Sequence, residues 1–373
     1  MDLELSAEQE LLRETVRGIC GRHAGLAVVR QLEDDPVGYP EKFWLQLADL
    51  GLLGLTLPEE LGGSGMSMLD AAVVYQEFGR ALSPSPHFAS SVLSGSVIAA
   101  AGTKDQQQRW VTQLCSGEAI ITPAWLEPDG GFGSTGVQLR AEALEGGRWR
   151  LNGTKRHVPY ARAADRLLVL ARADEGPVFL LVEPSADGVE LTQQFSIASD
   201  TQYRVEFADV TVGPDALIGE PGDAWPRWNE VMHDGIILLA AQAVGGARYA
   251  LDITVQYAKD RQQFDKPLGA FQAIAHYLAD AVTTVDGAET LVYEAAWARD
   301  AGRSVTRLAP MAKLFACQTF RDVTAMAQQV FGGVGFTLDY DIQLYFRRAK
   351  QLQVSWWDSR YLQELVAADV LDG

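Results

Sequence analysis

The chain has 373 residues, 47% hydrophobic and 21% charged, a balance typical of globular proteins with two or three structural units. Its net charge of −18 argues against nucleic acid as a partner, because phosphate would be repelled. We find no metal-ligand spacing, no membrane-spanning run and neither a signal-peptide nor a transit-peptide pattern. We therefore expect a cytoplasmic protein without a metal site or membrane span, and its three cysteines should be reduced packing residues.

The first third of the sequence, residues 1–118, has the pattern of a helical domain. Ser6, with Gln9 three residues later, forms a capping-box signature before apolar residues at helical spacing. Residues 119–225 instead contain short runs such as "RLLVLAR" and "VFLLVEP", and their close spacing predicts a middle domain with an antiparallel sheet or barrel. Residues 226–373 return to Ala-rich helical patterns, which predicts a helical–β–helical order.

Two stretches of the last third carry side chains suited to an anionic ligand. "DRQQFDKPLGAFQ" contains Arg261, a planar donor for phosphate, with Phe264 and Gln272 suited to the face and edge of a ring. "QQVFGGVGF" contains Gly332 and Gly333, which permit close approach of the backbone to a ligand. Either stretch also fits an ordinary corner between helices.

Taken in this order, the two stretches resemble the Arg-x-x-Phe…Gln and Gln-x-x-Gly-Gly-x-Gly segments of the acyl-CoA dehydrogenase family. "LGLLGLTLPEELGGSGM", "LNGTKRHV" and "YFRRAK" extend the resemblance over essentially the whole chain. The resemblance implies an α+β multidomain fold with an N-terminal helical domain, a middle β domain and a C-terminal four-helix bundle. It also implies FAD as cofactor, an acyl-CoA substrate, electron-transferring flavoprotein as acceptor, and homo- or hetero-oligomers with each flavin across a subunit boundary.

By position, the resemblance assigns six residues to the adenine and pyrophosphate end of FAD. In the family these residues act on the FAD seated mainly in a neighbouring subunit; here they are Arg261, Phe264, Gln272, Gln329, Gly332 and Gly333. Contacts to the flavin ring are predicted to be weaker, because His157 replaces the family's Trp, and Pro159 and Leu126 replace two Thr residues. Proline has neither a hydroxyl nor a backbone donor.

The implied reaction is α,β-desaturation of an acyl-CoA thioester, in which a carboxylate removes the α-proton and hydride passes to the flavin. In most members the carboxylate stands where this chain has Trp356, and in others where it has Gly235. Asp358 and Asp234 lie two residues and one residue away, about 200° and 100° around a helix, so either acid would need a shift in register. No catalytic base is therefore assigned, and Asp358 and Asp234 are the two candidates.

Three functions fit these observations. In the first, the chain is the base-lacking, FAD-clasping subunit of a heteromeric enzyme whose partner belongs to the same family. Alternatively, it is a self-sufficient homotetrameric flavoenzyme on a CoA thioester, using a displaced acid or chemistry without a base, such as elimination or desulfination. The third function is a structural or regulatory module that binds no flavin. A yellow purified protein excludes the third, and bleaching by acyl-CoA of the chain expressed alone favours the second.

Overall fold

The architecture is taken from a computed structural model that describes residues 4–371, so the outermost residues of the first and last predicted domains lie outside the description. α1 begins with the predicted capping box, in which the Ser6 side chain accepts from the Gln9 N–H. Two π-helical segments, Phe88–Gly95 and Gln107–Val111, adjoin shorter α-helices. The α-helices are α1 Ala7–His23, α2 Leu26–Gln31, α3 Glu41–Asp49, α4 Met68–Ala81, α5 Ser96–Ala101, α6 Lys104–Gln106, α7 Thr112–Cys115, α8 Ala224–Asp260, α9 Gln272–Asp300, α10 Leu308–Phe331, α11 Ile342–Val354 and α12 Ser359–Leu371.

The predicted β region forms one sheet with the strand order β6-β7-β3-β2-β4-β5-β8, and β1 pairs with β4 beside this path. A separate hairpin consists of β9 and β10. The strands are β1 Ile121–Ala124, β2 Arg140–Ala143, β3 Trp149–Pro159, β4 Arg166–Ala173, β5 Gly176–Val182, β6 Val189–Gln194, β7 Gln202–Val212, β8 Leu217–Ile218, β9 Gln262–Gln263 and β10 Lys266–Pro267.

The predicted antiparallel sheet is confirmed for most strand pairs, but two pairs at β4 are parallel. β1 pairs in parallel with residues 166–169 of β4, and β2 pairs in parallel with Arg172 of the same strand. Because β5 occupies the other side of β4, β1 and β2 share one side, and residues 125–139 make an excursion between them. Parallel neighbours require a long connection, and local sequence spacing does not reveal that the chain returns to the same strand.

Contacts divide the chain into two compact units. The first unit contains α1, α4 and the helices from residue 236 onward; there α10 packs against α9, α11 and α12, and α4 packs against α1 and α9. The second unit contains residues 30–66 and 84–235, with a core formed by the inner faces of the strands, including Leu151, Val169, Leu180 and Val205. The sequence boundaries at 118/119 and 225/226 stay a prediction.

α8 bears on the expectation that no run of the sequence could span a membrane. Its most apolar window of 18 residues has a mean hydropathy of 1.4, which is enough by length and composition to cross a membrane. However, 72% of that window is buried inside the protein, so the burial identifies α8 as a core helix.

The three cysteines are buried free thiols, as expected. Residues 4–371 contain no group of three or more His, Cys, Asp or Glu side chains placed to hold a metal ion.

Candidate functional site

An exposed hairpin follows α8 in the first unit and carries two of the predicted FAD residues. The Arg261 N–H donates to the Tyr257 carbonyl at 2.9 Å, and β9 and β10 then pair around Phe264 and Asp265. Both turn residues have positive φ, 53° and 63°, which is the geometry of a type I′ turn. The Phe264 ring is 88% exposed at the tip, although its edge meets Phe271. The exposed ring at the tip of the hairpin is therefore accessible to a ligand or to another chain.

The turn also predicts a stability change that needs no knowledge of the ligand. Asp265 has a φ of 63°, a left-handed conformation that costs a side chain about 1 kcal/mol relative to glycine. We expect Asp265→Gly to raise the free energy of unfolding by about that amount in thermal melts, and the control Asp265→Asn to change it little. An Asp265→Gly protein no more stable than wild type would contradict the turn geometry.

The glycine-rich segment of the second motif faces open space. α10 ends at Phe331, and residues 332–336 form a short 3₁₀ turn. Gly332 has φ 67° and ψ −148°, a combination that is essentially restricted to glycine. A Cβ added at Gly332 or Gly333 would meet no other atom within 4 Å. The absence of side chains there is therefore not required by packing, and it leaves the backbone accessible to a ligand.

Tyr257 and Phe331 join these two segments. Their rings stack with centroids 4.2 Å apart, and the Tyr257 hydroxyl donates to the Phe331 carbonyl at 3.5 Å. Tyr257 lies one helical turn before Arg261, and Phe331 directly precedes Gly332. The stacked pair thus brings the two sequence motifs together within one unit.

The groups around this junction fit the adenine and pyrophosphate end of FAD. Arg261 is exposed and makes no ion pair within residues 4–371, although the protein carries a net charge of −18. Gln272, the first residue of α9, and Gln329 are likewise exposed carboxamides. A free guanidinium suits pyrophosphate oxygens, and carboxamides suit the edge of an adenine. The open backbone at Gly332 and Gly333 leaves room for the dinucleotide.

The residues that replace the family's flavin-ring contacts lie in the second unit and have partners of their own. His157 sits at an irregularity of β3 with φ 52°; its N–H donates to Gln194 Oε1 at 2.9 Å, and its Nδ1 lies 2.7 Å from Gln202 Oε1. The Pro159 carbonyl accepts from the Thr122 hydroxyl at 2.6 Å. As a proline, Pro159 has neither a hydroxyl nor an N–H to donate to a flavin ring.

A buried ion pair that the sequence reading missed fixes the excursion between β1 and β2. Lys155 Nζ lies 2.6 Å from Glu127 Oε1 and 3.0 Å from the Trp125 carbonyl. Glu127 Oε1 also accepts from the N–H groups of Gln138 and Leu139, at 2.8 and 2.9 Å. Burial lowers the pKa of Lys155 from 10.5 to about 8. The excursion lines a polar cavity of about 480 Å³, together with Thr154.

Around Trp356, the first position at which the resemblance predicts a base, the space is occupied by aromatic side chains. Trp356 and Trp357, which follow α11, have φ values of 53° and 71°, and Trp357 is completely buried with its ring against Tyr361. The buried Lys313 ammonium supports this strained backbone by donating to three carbonyls, those of Leu352, Ser355 and Trp357. No carboxylate occupies the position, and the backbone that would carry one is held in place by Lys313.

Asp358 caps a helix. Its Oδ1 accepts from the Tyr361 N–H at 2.9 Å, and its carbonyl accepts from the Leu362 N–H at 3.0 Å, so it is the N-cap of α12. We expect Asp358→Ala to cost about 1 kcal/mol in thermal melts and Asp358→Asn, which keeps a capping oxygen, to cost little. Neither change should affect acyl-CoA turnover by the assembly that contains this chain. Loss of turnover in Asp358→Asn at unchanged stability would identify Asp358 as a base.

Gly235, the second position at which the resemblance predicts a base, is tightly packed. A Cβ on Gly235 in α8 would lie 3.0 Å from Leu93 Cδ2 and 3.3 Å from two ring carbons of Phe88. Both contacts are tighter than ordinary van der Waals distances, so a side chain at this position would require Leu93 and Phe88 to shift. The adjacent Asp234 is half-buried next to His233, where burial lowers the pKa of the imidazole and the charge of Asp234 offsets this only in part. The two positions at which the resemblance predicts a base, Trp356 and Gly235, therefore carry no carboxylate.

Comparison with known proteins agrees with this architecture. Models of the acyl-CoA dehydrogenase N-terminal, middle and C-terminal domains match residues 6–118, 123–210 and 222–356. The short-chain specific acyl-CoA dehydrogenase of Clostridium acetobutylicum is 30% identical over 364 residues, covering 95% of each chain. The caffeyl-CoA reductase–Etf complex subunit CarC of Acetobacterium woodii is 26% identical and covers 98% of this chain and 99% of CarC. A chain of the ChsE4-ChsE5 complex from Mycobacterium tuberculosis is 27% identical with a TM-score of 0.89, and each chain is covered completely.

These matches confirm the predicted fold class, the FAD cofactor and an oxidoreductase that acts on CH–CH groups. The chain belongs to the acyl-CoA dehydrogenase family.

Proposed function

We propose that this chain is the FAD-clasping subunit of a heteromeric acyl-CoA dehydrogenase and that a second subunit of the same family supplies the catalytic carboxylate. The observation that carries the proposal is the structure around Trp357. This indole is completely buried where the family places its base loop, and the next acid, Asp358, is used as a helix cap. The packed environment of Gly235 supports the same conclusion at the second position.

In this role the chain's own residues bind and orient the dinucleotide. Arg261 would hold the pyrophosphate, Gln272 and Gln329 would bond to the adenine edge, and Gly332 and Gly333 would admit the cofactor to the backbone. Phe264 would cover a ring from the hairpin tip. When bound, FAD supplies the hydride acceptor of the desaturation. Because all of these groups are exposed or face open space, they are placed to act on a cofactor shared with another subunit.

Two relatives support the assembly that we propose. One is part of a complex of two differently named chains, ChsE4 and ChsE5, and another is a subunit of a caffeyl-CoA reductase–Etf complex. By analogy, we assign an acyl-CoA as the substrate and electron-transferring flavoprotein as the electron acceptor. The self-sufficient homotetramer is the competing assembly, and the following experiment separates the two.

The test is co-expression with a family member that is encoded nearby and carries Glu at the position of Trp356. We expect the chain alone to retain little flavin and to show no bleaching with a panel of acyl-CoAs. The co-expressed pair should purify in an equal ratio, contain FAD and bleach. A homotetramer of this chain alone that is full of FAD and bleached by an acyl-CoA would overturn the proposal.

A further inference from the structure

Gln328 has a buried carboxamide that nothing in the described chain satisfies. The residue is 4% exposed in α10, next to the predicted FAD residue Gln329. Neither its Oε1 nor its Nε2 has a hydrogen-bond partner within residues 4–371. Burying a polar group without a partner costs stability, and native proteins rarely keep such a group without a reason. This carboxamide therefore requires an explanation.

The carboxamide lies directly beneath the glycine-rich turn. A Cβ on Gly335 would stand 2.5 Å from Gln328 Oε1 and 2.9 Å from Phe331 Cβ, so glycine at position 335 lets the amide lie against the turn. On the same turn, Gly332 and Gly333 face open space. The backbone of residues 332–336 thus separates the unsatisfied amide from the surface to which we assign the dinucleotide.

We propose that Gln328 is a positioning residue for FAD that acts through this turn. The proposal rests on the proposed FAD-clasping role. When peptide groups of the turn rotate so that their N–H groups face the anionic dinucleotide, their carbonyls face inward, where Gln328 Nε2 can donate to them. The glycines at 332, 333 and 335 make such rotations sterically accessible. The amide is unsatisfied without FAD and satisfied with it, so it biases the turn toward the bound form.

The test compares Gln328→Met with wild type in the assembly in which the protein purifies, with its partner subunit where there is one. Methionine keeps the length and the helix propensity but removes both polar atoms. Without flavin, we expect the melting temperature to rise by about 1–3 °C, because an unsatisfied amide is gone. FAD titrations followed by flavin fluorescence should give a dissociation constant raised by about 3- to 10-fold.

Two controls in the same titration make the outcomes distinct. Gln329→Met, at the exposed neighbour, should weaken FAD binding without raising the melting temperature of the apoprotein. An unchanged dissociation constant for Gln328→Met, or a lower melting temperature of its apoprotein, overturns the inference, because the amide would then be idle or already bonded. If Arg261→Ala weakens binding and Gln328→Met does not, only this inference fails. If wild type binds no FAD in any assembly, the proposed function fails and this inference falls with it.

Discussion

In the assembly with the partner subunit, Arg261→Ala is expected to weaken FAD binding by about 10- to 100-fold and to leave the purified protein largely colourless. The guanidinium would make charge-assisted, bidentate hydrogen bonds with pyrophosphate oxygens, and these are stronger than bonds between neutral groups. Arg261 makes no ion pair within residues 4–371, so its removal strands no carboxylate and should hardly change folding stability. The measurements are the flavin-to-protein absorbance ratio after purification and an FAD titration of the apoprotein.

Two matched variants interpret the Arg261 result. Arg261→Lys keeps the charge but not the planar fork, so we expect an intermediate loss of affinity. Arg360→Ala removes an exposed arginine that pairs with Glu364 at 3.1 Å, and it should leave flavin content unchanged. If Arg261→Ala retains flavin as well as Arg360→Ala does, Arg261 has no phosphate role and the clasp must lie elsewhere.

The sequence indicated breaks in the helical pattern around Phe264 and Gly332, and the structure has a hairpin and a glycine-rich turn there, whose role in binding FAD stays a prediction. The hairpin around Phe264 and the turn at Gly332 are local structures, so the residues that build them are contiguous and their geometry follows from their types. Gln328 was missed, although the α-helical period places it inward with Thr324 and Phe331, which are both buried. A polar residue on the buried side of a helix was the available signal.

The other omissions depend on contacts that are distant in sequence. Lys155 lies in phase with the inward residues Trp149 and Leu151 of β3, and this alternation was a signal for a buried lysine. Its partner Glu127 cannot be identified locally, because it belongs to the excursion between the two strands that share one side of β4. The absence of an acid at Trp356 was readable directly, whereas the capping role of Asp358 needed the start of α12.

Lys155→Met is expected to be the most destabilising of these changes, by about 3–5 kcal/mol, because it leaves the Glu127 carboxylate buried without its cation. Glu127→Gln should also destabilise, and the double variant should lose less than the sum of the two, since it strands neither charge. Urea unfolding of the four proteins measures this coupling. An additive double variant would mean that Lys155 and Glu127 act independently.

The pH dependence gives the same ion pair a second, independent signature. Burial lowers the pKa of Lys155 to about 8 from 10.5, so between these values the unfolded chain binds more protons than the folded chain. The stability of wild type relative to Lys155→Met must therefore rise as the pH increases from 8 toward 10.5, and it should be flat below pH 8. Urea unfolding of both proteins, measured from pH 7 upward at intervals of about one pH unit, tests this expectation. A stability difference that falls as the pH rises would show that Glu127 keeps Lys155 charged in the folded protein. The attraction between Lys155 and Glu127 would then outweigh the effect of burial on the lysine.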